Sequence, residues 1–317
     1  MPTAPDSAEP SRPAKRGGRM SELAVVEETA VWLEVNGRPA VTWMCTPELL
    51  EELAVGWLHG EGYIDGVEQV QLRPCATDLG FWARVPDDRM AAVQAEGRRP
   101  VLASGCGAVS TFLAEPSTVE GCPLRGMPPA AERLRALFKA LFARGERYKD
   151  TGGIHAAALV EPDEADPDRS LVAHAEDIGR HNAVDKSIGG ALLAGRRVAG
   201  LGLLVTGRIS AELAFKAARA GLAWVATPSV PSTLAVEIAR RSGMVLVGRA
   251  DGEDGIPRAL EIAGHAVART FRPGAEPDDR DAAGRAEDRL DSLPLTRHRR
   301  SPRRGAVRCT RGRRGLT

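Results

Sequence analysis

Apolar runs of strand length alternate with helical segments between Ile154 and Gly248, and this alternation limits the possible folds more than any other feature. The strand-like runs are residues 154–160, 171–179, 198–207, 222–227 and 244–248. Helical periodicity marks residues 180–195, 210–221 and 232–243. Strands that alternate with helices of roughly 10 to 15 residues are typical of βαβ units with parallel strands. The pattern predicts an α/β sheet covered by helices.

The residues before this region predict a smaller α+β part. Residues 30–44 alternate apolar and polar around Asn36-Gly37, a strong hairpin signal. Thr46 and Pro47 predict a helix start, with Thr46 as its cap. Further strands are expected at residues 69–73 and 81–85, and a long helix at 129–148. The domain prediction is a disordered leader (1–20), an N-terminal α+β part (21–128), the α/β part (129–250) and a mostly disordered, arginine-rich tail (251–317).

Charge and cysteine content restrict the functional class. The net charge is +1, yet residues 297–317 hold nine arginines and no acid, so the remaining chain sums to −8. A mildly acidic body is not that of a nucleic-acid-binding protein, and a solvated tail is the preferred interpretation of the arginine-rich end. Neither a membrane span nor a secretory signal is predicted. The five scattered cysteines favour a reduced, cytoplasmic protein.

Charged residues crowd the junction between the strand at 171–179 and the helix that follows it. Ligands bind at such strand-to-helix junctions in open α/β sheets. His181 and Asp185 are four residues apart, so the acid is expected to orient the imidazole ring. The alternative is a helix start with an ion-paired, solvated face. The candidate residues here are Arg180, His181, Asp185 and Lys186.

A second junction carries the sequence TGRIS. Gly207 lets the backbone approach a ligand, and Arg208 can bind a phosphate or carbonyl oxygen next to a helix N-terminus. The segment is neither a P-loop nor a dinucleotide-binding glycine motif. This signal is weak alone. Together with ATPSVPST at residues 226–233, it predicts two neighbouring loops that line one cleft.

Cys106 stands between two glycines in a segment without helical or strand periodicity. A thiolate on flexible backbone can be a nucleophile or carry a group, although an incidental loop cysteine is equally compatible with the residue type. His155 fits a core histidine better than a ligand. A zinc deaminase needs H-x-E and P-C-x-x-C, whereas Ala157 follows His155 at the required spacing and Cys75 has no nearby partner, so no metal site is predicted.

Six motifs occur in an order that resembles the FdhD family of formate dehydrogenase accessory sulfurtransferases. They are VNGRPAVTWMCTPELLEELAVGWLHGEGYI, SGCG, TGGIHAAAL, EDIGRHNAVDKSIGGAL, TGRISAELAFKAARAGL and PSVPSTLAVEIARRSGMVLVG. The resemblance runs from about Glu22 to Arg249. It implies a zinc-free, three-layer α/β fold like that of cytidine deaminases.

The resemblance also implies a function. Cys106 would accept a persulfide from a cysteine desulfurase and pass sulfur to the molybdenum bis(guanine dinucleotide) cofactor before the cofactor enters formate dehydrogenase. That cofactor is a bound substrate, no tightly bound metal is expected, and the protein is expected to be a homodimer. The predicted cofactor-binding residues are Thr206, Gly207, Arg208, Ser210, Arg180, His181, Asp185, Lys186, Gly248 and Arg249.

The chain departs from the family pattern in two places. The family's second loop cysteine would fall at residue 109, which is valine, so a disulfide within that loop cannot form. After Gly248 and Arg249 the aromatic residue and tyrosine typical of the family are missing, which a divergent extension or a change of reading frame would explain. The first departure keeps an alternative function open, that of a chaperone that binds the molybdenum cofactor without transferring sulfur.

Overall fold

The computed structural model describes residues 25–95, 99–102, 109–112, 126–250 and 258–260 of the 317-residue chain. These residues belong to one compact unit that extends from Met1 to Phe271. The predicted leader, nearly all of the predicted tail, and Cys106 lie outside the described residues.

A four-stranded sheet forms the N-terminal part. Its strands are β1 (Thr29–Val35), β2 (Arg38–Cys45), β3 (Gln71–Pro74) and β4 (Gly80–Arg84), in the order β2-β1-β4-β3. The predicted hairpin is confirmed, and Asn36 and Gly37 adopt φ angles of 49° and 75° at its turn. Such left-handed conformations are the reason why Asn-Gly is favoured there. Helix α1 (Leu50–Gly60) follows β2, and helix α2 (Asp87–Ala95) follows β4.

The predicted cap of α1 is wrong. Leu49, with a φ of 52°, occupies the N-cap position and makes no side-chain capping bond. The Thr46 hydroxyl instead accepts a hydrogen bond from the distant Ile178 N at 3.1 Å. Thr46 therefore links the end of β2 to the C-terminal half of the chain.

Two short strands, β5 (Arg99–Leu102) and β6 (Val109–Phe112), form an antiparallel pair in which Leu102 is the partner of Val109. Cys106 belongs to the connection between them. The predicted long helix is confirmed as α3 (Ala131–Arg144), but it ends before Gly145, and a separate short helix α4 (Glu146–Thr151) follows. A glycine at this position terminates helices because it lacks helical preference.

The C-terminal part is built on a six-stranded sheet with the strand order β12-β11-β10-β9-β7-β8. In chain order its elements are β7 (His155–Val160), α5 (Pro167–Ser170), β8 (Leu171–Asp177), α6 (Arg180–Leu193), β9 (Gly202–Val205), α7 (Ala211–Arg219), β10 (Trp224–Ala226), α8 (Thr233–Ser242), β11 (Val245–Gly248) and β12 (Arg258–Leu260).

The sheet is mixed rather than parallel throughout, which corrects the prediction from the strand–helix alternation. Strands β9, β10 and β11 are parallel, whereas β7 is antiparallel to both β8 and β9. Residues 161–170 join β7 to β8, and this link is too short for a crossover between parallel strands. A hairpin is the connection that such a short link permits.

Helices cover both faces of the six-stranded sheet. On one face α6, α7 and α8 pack in a large core that also includes α1 and the inner side of the four-stranded sheet. On the other face α3 packs through Leu134, Leu137, Phe138 and Leu141 around the buried Trp224. The predicted three-layer α/β architecture with a smaller N-terminal sheet is confirmed.

Candidate functional site

The predicted cofactor-binding residues, except those that point into the interior, gather at one edge of the six-stranded sheet. Because β7 runs antiparallel to β8 and β9, the start of β7 lies at the same edge as the carboxyl ends of β8, β9, β10 and β11. This edge carries His155, the β8–α6 junction, the β9–α7 loop, the β10–α8 loop and the turn after β11. It is the edge at which open α/β sheets bind ligands.

The β9–α7 loop is tied to its neighbours on both sides. Thr206 Oγ1 accepts a hydrogen bond from Ala156 N at 3.0 Å, and the carbonyl of Gly207 accepts one from Thr227 Oγ1 at 2.7 Å. Ser210 caps α7, as predicted, by accepting from Leu213 N at 3.5 Å. Arg208, between these fixed points, is exposed. The two loops predicted to line one cleft are therefore neighbours, joined through Gly207 and Thr227.

Gly207 sits where an added methyl group would press tightly against the cleft wall. A methyl group on its Cα would lie 3.1 Å from Arg180 Cδ and 3.2 Å from His155 Cε1. These distances are tighter than ordinary van der Waals contact. The buried side chain of Arg180, in the first turn of α6, therefore packs against the β9–α7 loop at Gly207.

His181 lies at the junction with α7. Its Nε2 is 3.0 Å from Ser210 Oγ and 3.4 Å from Glu212 Oε2. Burial lowers the pKa of His181 to about 3, and the positive charges of Lys216 and Arg180 act in the same direction. The imidazole is consequently neutral at physiological pH and offers one donor and one acceptor. Glu212 is also partly buried, and burial raises its pKa.

The expectation that Asp185 orients His181 is wrong. Asp185 Oδ2 instead accepts a hydrogen bond from Lys216 Nζ at 2.5 Å, and Glu61 Oε1 lies 3.9 Å from the same ammonium. Burial raises the pKa of Asp185 to about 6, although Lys216 opposes that shift. Asp185 is 1% exposed, so it belongs to the interior between α6 and α7.

Lys186 is also interior. Its Nζ lies 2.6 Å from Asp177 Oδ2 and donates to the carbonyl of Thr46 at 2.8 Å, and both charged side chains are completely buried. The prediction of cofactor contact for Lys186 and Asp185 stays a prediction, but in the structure both lie beneath the cleft rather than in its wall.

The turn after β11 brings the last two predicted residues to the same edge. Arg249 is exposed, has a φ of 51°, and donates its backbone N–H to Ser229 O at 2.8 Å. A methyl group at Gly248 would lie 3.1 Å from Pro231 Cδ. Gly248 thus allows the turn to pack on the β10–α8 loop. The Arg249 side chain is left facing solvent at the same sheet edge as Arg208.

Sequence reasoning missed several residues beneath the cleft, namely Asp177 as an ion-pair partner, Thr46 as a link, and Glu61, Glu212 and Lys216. Their partners are distant in sequence: Thr46 contacts residues 131 and 132 positions away. The one local signal was Lys216, a charged residue within the run of otherwise apolar residues Leu213–Ala218 of α7.

Within the described residues, Cys45 and Cys75 are free thiols, and no group of three potential metal ligands is present. Burial raises the pKa of Cys45 to about 11, so this thiol is protonated and poorly nucleophilic. Cys75 is partly exposed, and its hydrogen bond with Thr77 lowers its pKa. None of the helices in the described segments is long and apolar enough to cross a membrane.

Known proteins resemble this chain in both sequence and fold. Proteins named sulfur carrier protein FdhD from Anaeromyxobacter dehalogenans and Xanthomonas euvesicatoria are 38% and 34% identical to this chain. The alignments cover 79% and 78% of this chain and 91% and 90% of those proteins. The homologue from Geobacillus kaustophilus is 32% identical over 75% of this chain and 89% of its own length.

A crystal structure described as a formate dehydrogenase accessory protein, from Desulfotalea psychrophila, superposes with a TM-score of 0.55 at 25% identity. The match covers 72% of this chain and 84% of that protein. A profile of the FdhD/NarQ family matches residues 26–256, a span that contains the whole cleft edge. The chain therefore belongs to the FdhD/NarQ family.

Proposed function

We propose that this protein is a cytoplasmic sulfurtransferase that carries sulfur as a persulfide on Cys106 and delivers it to the molybdenum bis(guanine dinucleotide) cofactor of formate dehydrogenase. One observation carries the proposal. In a chain of the FdhD/NarQ family, the β8–α6, β9–α7 and β10–α8 connections and the turn after β11 meet at one sheet edge, with Arg208 and Arg249 exposed there.

The chemistry of this edge suits a ligand that carries phosphates. Helices α7 and α8 both begin at it, each with a serine cap, so their N-terminal dipoles favour an anion. Arg208 and Arg249 supply fixed positive charge in solvent-accessible positions. Neutral His181 and the Ser210 hydroxyl add hydrogen-bonding groups without extra charge. A guanine dinucleotide combines the phosphates and polar base edges that such groups recognise.

The loading step is a thiol exchange. The Cys106 thiolate attacks the outer sulfur of the desulfurase persulfide, one sulfur–sulfur bond forms as another breaks, and the desulfurase cysteine leaves as a thiolate. On delivery, sulfur leaves Cys106 formally as a neutral atom, and the emptied thiolate reloads. Because Val109 replaces the second loop cysteine, no disulfide within that loop can supply the two electrons that convert this sulfur into sulfide, so the cofactor that receives the sulfur or an external thiol would have to supply them.

Mass spectrometry of the full chain tests the loading step. After incubation with a cysteine desulfurase and cysteine, the peptide that contains Cys106 should gain about 32 Da, and Cys106→Ser should gain nothing there. Cys45→Ser is the matched control, because the buried thiol of Cys45 should not compete for sulfur. An unmodified Cys106 peptide, with cofactor binding retained, would favour the chaperone function instead.

Isothermal calorimetry tests the binding step with GDP as the probe. We expect Arg208→Ala and Arg249→Ala each to weaken GDP binding by about tenfold, since each removes one charge-assisted contact. The exposed Arg240→Ala on α8 is the control. Equal GDP affinity in all three variants would contradict the assignment of this edge as the nucleotide site. We also propose that the protein forms a homodimer, and sedimentation of the wild type tests this proposal.

A further inference from the structure

Helix α6 carries two consecutive ionisable residues that pair with different neighbouring elements. Asp185 turns towards Lys216 on α7, whereas Lys186 turns towards Asp177 at the end of β8. The two pairs therefore tie α6 to α7 and to the end of β8. Arg180 and His181 stand in the first turn of the same helix, between Asp177 and Lys186 in the sequence.

The Lys186–Asp177 pair connects three segments of chain. Asp177 Oδ2 accepts from Thr46 N at 3.1 Å, and Oδ1 accepts from Gly179 N at 2.7 Å and Asn182 Nδ2 at 3.0 Å. Asn182 Nδ2 also donates to the carbonyl of Met44 at 2.9 Å. These bonds join the end of β2, the end of β8 and the first turn of α6.

Stability is a poor explanation for such a pair. Both side chains are completely buried, and the loss of hydration largely cancels the attraction between two buried charges. Replacement of a whole buried pair by uncharged groups is often neutral for stability, whereas removal of one partner is costly. What the charges provide here is a fixed arrangement, because each oxygen of Asp177 is committed to donors from different segments.

We propose that Asp177, Lys186 and Thr46 are positioning residues that set the first turn of α6, and with it Arg180 and His181, against α7 and the Gly207 loop. This assigns Lys186 a task inside the protein rather than on the cofactor. The inference rests on the proposed nucleotide site only for its effect on affinity. The placement of His181 can be measured without any ligand.

The first test is the double variant Asp177→Asn/Lys186→Met in the full chain. The matched control is Glu237→Gln/Arg241→Met, which removes an exposed pair with the same loss of one positive and one negative charge. Calorimetry gives the GDP affinity, and denaturant unfolding reports whether each variant folds cooperatively. NMR of labelled histidines follows the ring of His181 with pH, and His181→Gln identifies its signal among the six histidines.

We expect the double variant to fold cooperatively, to bind GDP about tenfold more weakly or worse, and to release His181 so that its ring titrates near pH 6.5. In the wild type and the control the ring should stay neutral down to pH 5. The proposal would be overturned by a folded double variant in which the His181 ring stays neutral down to pH 5 and the GDP affinity is within about twofold of that of the control.

A milder pair of variants decides the question if the double variant does not fold. Thr46→Val keeps the side-chain shape but deprives Ile178 N of its acceptor, whereas Thr46→Ser retains the hydroxyl. We expect Thr46→Val to shift the titration of His181 and to weaken GDP binding, and Thr46→Ser to match the wild type. A Thr46→Val protein that matches the wild type in the His181 titration would refute positioning. If the wild type itself binds no GDP, the proposed nucleotide site fails and the His181 titration alone judges this inference.

Discussion

Gly207 shows how far one missing side chain shapes the cleft. A methyl group on its Cα would lie 3.1–3.3 Å from atoms of Arg180 and His155, so these neighbours would have to shift by a few tenths of an ångström to admit it. Arg180 cannot retreat freely, since it is buried at the start of α6. The residue is therefore the point at which a small change in volume alters the ligand-facing surface.

We expect Gly207→Ala to weaken GDP binding by about tenfold while it lowers the free energy of unfolding by only about 1 kcal/mol, because its neighbours must move by a few tenths of an ångström. Calorimetry and urea denaturation measure the two effects. Gly153→Ala is the control, since its methyl would meet Val26 Cγ2 at an ordinary 3.4 Å. Equal GDP affinities for the two variants would show that the approach at Gly207 does not matter.

His59 makes the stability sensitive to acid. Burial, with help from Arg219, lowers the pKa of His59 from 6.5 to about 4. Between these values the unfolded chain binds a proton that the folded chain excludes, so the free energy of unfolding falls as the pH drops through this window, by up to about 3 kcal/mol. Above pH 6.5 the contribution is complete.

We therefore expect His59→Leu to be less sensitive to acid than the wild type between pH 6.5 and 4, as measured by urea denaturation. An apolar side chain is tolerable because His59 Nδ1 has no hydrogen-bond partner within the described residues. Asp185 acts in the opposite sense: its pKa is raised to about 6, so stability falls as the pH rises from 3.8 to 6. The contribution of His59 is therefore isolated only by the difference in the free energy of unfolding between the wild type and His59→Leu. If the two proteins showed parallel curves of this free energy against pH, the prediction would be contradicted.

At the scale of elements, helices α1 and α6 cross with their backbones in close approach. A methyl group on Gly56 would lie 1.8 Å from the carbonyl oxygen of Asp185, and one on Gly189 would lie 1.9 Å from that of Glu52. The two backbones touch, so neither helix can turn or shift without opening this contact. The crossing thereby fixes the helix that carries Arg180 and His181.

Gly189→Ala should destabilise the protein by more than about 3 kcal/mol, because the clash is with backbone that cannot yield. The adjacent Gly190 is an internal control, since its methyl would meet only Glu52 Cγ at 3.8 Å. Gly190→Ala should be neutral or stabilising by about 0.5–1 kcal/mol, as expected for alanine in a helix. Thermal unfolding of both proteins checks the contrast, and similar melting temperatures would rule out the close crossing.

Local patterns predicted the elements better than their partners. The Asn-Gly turn, the serine cap of α7 and the apolar period of α3 depend on neighbours in the chain, and all three are confirmed. The direction of β7 depends on the length of its link to β8. The alternation of strands and helices does not take the length of this link into account. The Thr46 cap failed because a distant amide, Ile178 N, holds that hydroxyl.

The candidate site divides in the same way. Its edge was predictable, since the carboxyl ends of neighbouring parallel strands must meet. The four-residue spacing of His181 and Asp185 was misleading, because Lys216 on another helix holds the carboxylate. A pattern within one helix shows which side chains share a face. It does not show which buried charged residue of another element will form an ion pair with them.

At the scale of the molecule, the two sheets share one core. Val31, Leu33 and Trp43 from the N-terminal sheet belong to the same buried cluster as Leu203 and Val225 from the C-terminal sheet. The Lys186–Asp177 pair adds polar links from the end of β2 to the end of β8. The division predicted near residue 128 separates chain segments, but a core common to both implies that they depend on each other for stability.

We accordingly expect the two sheets to unfold together. Four of the five tryptophans, Trp32, Trp43, Trp57 and Trp82, lie in the N-terminal part, so tryptophan fluorescence mainly follows that part. Hydrogen exchange of the amides in β9, β10 and β11 follows the other sheet. In urea the two probes should give the same free energy of unfolding, because neither sheet can bury its inner face without the other. Independent domains would instead give two transitions, with the exchange of β9–β11 still slow after the fluorescence change is complete.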